Sequence, residues 1–114
     1  MREIKFRALK DDMSNFNWVY GMLIYQGEHD RTPRIQSGFS DLFTSCVKGT
    51  EGQFTGLKDK NGVEIYEGDI VNVPYNHLGN HVVEMVRGYW NTARYNISMV
   101  KVIGNIHENK DLLK

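Results

Sequence analysis

A mainly β fold made of short antiparallel strands is what this sequence predicts, and three observations predict it. Short segments alternate apolar and polar side chains with a period of two, as from Glu3 to Leu9. Clusters of turn formers, DKNG at 59–62 and EGD at 67–69, separate such segments at close spacing. Aromatic and β-branched residues concentrate between the turns, and little of the chain carries a helical pattern.

Taken in order, Glu3 to Leu9 reads as a half-buried strand with Ile4, Phe6 and Ala8 on one face and Glu3, Lys5 and Arg7 on the other. KDDMSN follows as a polar turn. Phe16 to Gln26 carries Phe16, Trp18, Val19, Tyr20, Ile24 and Tyr25, which predicts a second strand or a tight pair broken at Gly21. Gly27 to Gly38 is polar and contains Pro33, so an exposed loop is expected there, with a brief extended piece around Ile35. Between Ser40 and Val47 two readings stand: a short helix beginning at Ser40, or another strand ending at Val47.

The second half is more sharply punctuated. Gln53–Leu57 and Val63–Tyr66 flank Asp59-Lys60-Asn61-Gly62, where an Asp carboxylate can accept backbone N–H bonds and Gly62 can take the left-handed conformation that closes a hairpin. Glu67-Gly68-Asp69 makes the next corner. Ile70, Val71 and Val73 begin a strand that Pro74 ends or places at an edge. His81–Val86, Tyr89–Tyr95 and Ser98–Ile106 read as further strands, and Asn109 caps a single helical turn in the tail. The expectation is one unit with an N-terminal β part, 1–50, and a C-terminal part, 51–114, whose residues 51 to 106 form a small SH3-like barrel.

Composition narrows the function. The 114 residues include 14 basic and 14 acidic side chains in interleaved order. A phosphate-binding surface would show a basic excess or stripe, so a protein partner is favoured over nucleic acid. Zero formal charge also removes self-repulsion and permits a homo-oligomer. No apolar run is long enough for a signal peptide or a membrane span, and the lone Cys46 reads as a small semi-apolar residue in a reducing cytosol.

Chemistry-bearing residues are sparse. His77 and His81 are four apart, but Gly79 and Asn80 argue against the helix that would bring them to one face, and no HExxH, CxxC or phosphate-loop pattern occurs. We therefore expect no metal and no cofactor. His29-Asp30 reads as a solvated loop. Glu67 and Asp69 are the best carboxylate pair for acid–base work; alternation places both on one side of the chain, partly in water, and a structural role at the corner is favoured over an enzyme that would use them with a histidine. The aromatic residues Tyr66, Tyr75, Tyr89 and Trp90, interleaved with Arg87 and Arg94, are the candidate binding surface, although most aromatics of a small β domain must fill its core. No catalytic residue is assigned.

REIKFRA at the start, GQFTGLKDKNGVEIYEGDIV in the centre and VKVIGNIHENKDLL at the end together resemble the YopX family of small proteins encoded by bacteriophages and prophages. Leu9 stands where the family commonly has tryptophan after FRA, and Glu51 where a hydrophobic residue often precedes GQ. The resemblance implies a phage or prophage origin, action in the cytoplasm of the bacterial host and a mainly β fold. It brings no catalytic residues with it.

Overall fold

The computed structural model describes residues 4–11, 17–25, 31–37, 43–73, 79–94 and 96–113, which form two compact units, 1–53 and 54–114. Both are built from antiparallel strands, so the chain is mainly β as expected.

In the first unit β1 (Phe6–Leu9), β2 (Trp18–Ile24), β3 (Arg34–Gln36) and β4 (Phe43–Ser45) lie side by side in the order β4-β3-β2-β1. On the other edge of β1, Phe6 and Arg7 pair with Gln53 and Gly52, where β5 (Gly52–Lys58) begins. Ala8, Ile35 and Cys46 are fully buried, and Phe6, Val19 and Leu23 pack against them. Full removal of the Ile35 side chain from water stabilises the unit by roughly 1.5–3 kcal/mol. β1 is not half-buried as its alternation predicted: Arg7 and Leu9, on the face opposite Ala8, are buried as well. Arg7 is accommodated there by stacking its guanidinium over the Trp18 ring, 4.3 Å from the centroid.

β2 runs through Gly21 without a break. A Cβ at Gly21, whose φ is +152°, would sit 2.0 Å from the Gln36 carbonyl oxygen, so only glycine lets β2 and β3 approach this closely. Of the two readings of 40–47, the strand is found at β4; Ser40 to Leu42 lie outside the described residues. The chain after β4 folds back on the end of β1, with Val47 N–H donating to the Leu9 carbonyl at 2.8 Å and Asp11 N–H to that of Ser45 at 3.0 Å. Thr50 Oγ1 accepts from Leu9 N–H and donates to the Val47 carbonyl. The Tyr25 hydroxyl donates to Glu51 at 2.5 Å, and this bond to a carboxylate raises the phenol pKa to about 12.

In the second unit β5 pairs with β6 (Glu64–Tyr66), while β7 (Asp69–Val73) lies between β8 (Gly79–Val82) and β11 (Lys101–Asn105). Between β8 and β11 come the two-stranded β9 (Met85–Val86) and β10 (Tyr89–Trp90), then single 3₁₀ turns at Asn91–Arg94 and Ile97–Met99. Ile65, Val71, Val73, Val83 and Val100 form the core, with Leu57, Trp90, Ile97 and Val102 packed around it.

The barrel expected over 51–106 is not closed. β5–β6 and β8–β7–β11 are separate antiparallel sheets. Where a further ladder would close the seam, the Asp59 carboxylate accepts from Val102 N–H at 2.9 Å and Lys60 N–H donates to the Val100 carbonyl at 2.9 Å. The expected strand 81–86 ends at Val82, because Val83 turns to donate its N–H to the Asp69 carbonyl and buries its side chain. Beyond Trp90 the expected strand is replaced by the 3₁₀ turn, in which Asn91 folds back to bond Val82 and Glu84. The tail forms the anticipated turn, Lys110–Leu113, with Leu112 N–H donating to the Asn109 carbonyl, but the Asn109 side chain expected to cap it accepts instead from Asn105 N–H at 3.2 Å.

Candidate binding hairpin

The polar corners of the central motif resolve into structural acceptors. Asp59 is 6% exposed, and its Oδ1 accepts from Asn61 N–H at 2.8 Å and Val63 N–H at 2.9 Å while Oδ2 accepts from Val102. Burial alone would raise its pKa. The three N–H bonds and the nearby Lys101 outweigh that and hold the carboxyl below its ordinary value. At the second corner, Asp69 Oδ2 accepts from Tyr66 N–H at 2.7 Å. Gly68 takes φ 90°, donating to the Val83 carbonyl and accepting from Ile106 N–H, so this corner binds three segments of the unit.

Asp69 is 2% exposed, which corrects the expectation that both acids stand partly in water; only Glu67, in the turn itself, is exposed. A carboxylate closed off from solvent and fixed on a backbone N–H is a poor proton carrier for a substrate. A histidine does come near: His107 Nε2 lies 3.8 Å from where a Gly68 Cβ would be. Among the described residues no three of His, Cys, Asp and Glu are grouped so as to hold a metal ion. His29 and His77 lie outside the described residues, and His81, paired opposite Val71, has its pKa lowered by burial.

The candidate aromatics and arginines part company. Tyr66 is 2% exposed, with its ring centroid 5.4 Å from that of Phe54 and its hydroxyl donating to Glu64 at 3.1 Å. It belongs to the core and offers no face for stacking. Trp90 is half-buried against the valine core. Tyr75 and the Arg94 side chain lie outside the described residues. Arg87 and Tyr89 are both exposed.

These two residues sit on a hairpin that the sequence reading left as two strands. Val86 pairs with Tyr89 and Met85 with Trp90, so Arg87-Gly88 is a two-residue loop. Both loop residues have positive φ, 53° and 86°, the geometry whose twist suits a tight hairpin. Glu84 and Asn91 continue the pairing through Asn91 N–H to the Glu84 carbonyl and Glu84 N–H to Asn91 Oδ1. Alternation from Trp90, which faces the core, turns Tyr89 the opposite way, and Tyr89 is 75% exposed. The signal was present in the sequence: two apolar pairs separated by exactly two residues, the second of them glycine.

The YopX protein family model matches residues 5–114. The chain belongs to the YopX family. Among solved structures, it is similar to the crystal structure of protein EF1440 from Enterococcus faecalis, with 29% identity, all of each chain covered and a TM-score of 0.51. No curated protein matches it. The motif that identifies this YopX chain, 52–71, is therefore the segment whose Asp59, Gly68 and Asp69 hold the second unit together.

Proposed function

We propose that this YopX protein is a non-enzymatic binding module that docks a protein partner through the β9–β10 hairpin, in the cytoplasm of a bacterial host and in the service of a phage or prophage. The observation that carries the reading is Arg87. A left-handed backbone costs a residue other than glycine, asparagine or aspartate about 1–2 kcal/mol, and a glycine here would remove that cost. An arginine at such a tip carries that cost while its side chain stands exposed to solvent, open to a partner.

Neither the Arg87 guanidinium nor the Tyr89 hydroxyl is bonded to another described residue, whereas Tyr25 and Tyr66 are each clipped to a glutamate. Exposed tyrosine and arginine, with the half-buried Val86 paired opposite the tyrosine, are side chains that recur in protein interfaces. Trp90 backs this surface from the core side, and the second unit serves as an open, SH3-like scaffold. A protein is favoured over nucleic acid because the chain's zero net charge gives no general attraction to phosphate.

The test is a pull-down from infected host lysate, with and without nuclease, using the wild type and Tyr89→Ala. A protein retained through nuclease treatment and lost with Tyr89→Ala is expected. Equal capture by the variant, or loss of all capture on nuclease treatment, refutes the reading.

A further inference from the structure

The outward face of the hairpin is complementary to itself. Alternation along the two strands sets Glu84, Val86 and Tyr89 on one side and Met85 and Trp90 on the other, with Arg87 at the tip. Because Trp90 packs on the valine core, the side bearing Glu84 and Tyr89 faces away from it. That side carries an anion at its base, two apolar residues in its middle and a cation at its end. Glu84 and Arg87 are both exposed, and neither side chain is bonded to another described residue.

Resting on the reading of this hairpin as the interaction surface, we infer that its partner is a second copy of this chain. A twofold axis through the Val86–Tyr89 pair would run two hairpins antiparallel, tip to base. Arg87 of each copy then meets Glu84 of the other, and the two Tyr89 rings pack at the centre. An isologous contact needs one surface carrying both halves of each interaction, and this face does. The zero formal charge of the chain opposes no such approach. A single hairpin covers far less than the roughly 800 Å² per partner of a standard interface, so the pair is a weak, concentration-dependent dimer.

Sedimentation equilibrium from about 10 µM to about 1 mM, the range in which so small an interface assembles, measures it directly. The wild type should shift from monomer to dimer across the series. Glu84→Arg and Arg87→Glu should each weaken association about tenfold or more, and the double exchange should restore it to within about threefold of wild type. Circular dichroism confirms that each variant is folded.

A wild type that stays monomeric throughout, or a dimer indifferent to both single exchanges, overturns the pairing. A dimer that the double exchange fails to restore overturns it as well. The hairpin as a docking surface fails separately, in the Tyr89→Ala pull-down, where a different protein captured by a monomer would support that surface and reject self-association.

Discussion

Replacing Asp59 by asparagine removes one acceptor of the carboxylate and keeps the other, which isolates the seam between the β5–β6 hairpin and β11. An asparagine Oδ1 can still take the N–H groups of Asn61 and Val63 and so preserve the turn. In place of Oδ2 it presents an NH₂ group to the Val102 N–H, 2.9 Å away, setting donor against donor. A hydrogen bond to a charged acceptor is worth about 1.5–3 kcal/mol, and Asp59 is too deeply buried for water to replace it. Asp59→Asn should therefore cost about 2–3 kcal/mol, out of the roughly 5–15 kcal/mol typical of a domain. Asp59→Ala, which loses all three bonds, should cost about 3–5 kcal/mol.

With a urea dependence of about 1–3 kcal/mol per molar, the Asn variant's midpoint falls by roughly 0.7–3 M. The Val102 amide should lose hydrogen-exchange protection ahead of Asn61 and Val63. The lowered carboxyl pKa adds a pH signature. Its contribution is fully present above the unfolded value of about 3.9 and is lost as pH falls through the lower folded value, so wild type and Asp59→Asn should converge in strong acid. An unchanged midpoint with Val102 still protected would refute this account of the seam.

Other expectations follow from single contacts. Gly21→Ala should unfold the first unit or shift β2 off β3, because its Cβ would meet the Gln36 carbonyl oxygen at 2.0 Å; loss of protection across β2 and β3 with the second unit intact is the expected exchange pattern. Burial lowers the His81 pKa, so the folded state resists its protonation; stability should decline as pH falls below about 6.5, and His81→Gln should flatten that part of the acid titration. Ultraviolet titration should find Tyr25 ionising near pH 12, returning towards the ordinary value of about 10 in Glu51→Gln.

The sequence was most legible where a residue's structural task is local. Asp59 with Gly62 closing a hairpin and Asp69 capturing a backbone N–H at a corner could both be read from residue type and spacing, because each bond spans a few positions. Partners distant in the chain could not be read. Asp59 also reaches Val102, 43 positions away, and that bond replaces the ladder of the barrel the local pattern implied. The burial of Arg7 depended on Trp18 being brought under its guanidinium, which charge alternation along β1 does not encode.

In the candidate site, side-chain type could not separate the exposed Tyr89 from the buried Tyr66. Tyrosine is equally suited to a core and to a surface, and only the pairing of Val86 with Tyr89 and the stacking of Tyr66 on Phe54 decide which is which. The β9–β10 hairpin was not legible as one unit because β8 ends at Val82 and β9 begins at Met85, breaking the period expected to join 81 to 86.

The most direct test of the hairpin as the working surface is a paired measurement on Arg87→Gly, of thermal stability and of protein capture from infected host lysate. Glycine accepts the left-handed backbone without strain, so a melting temperature equal to or above wild type is predicted, together with loss of the captured protein. A variant that is as stable as wild type and captures the same protein equally well would contradict the claim that the arginine at this tip serves binding.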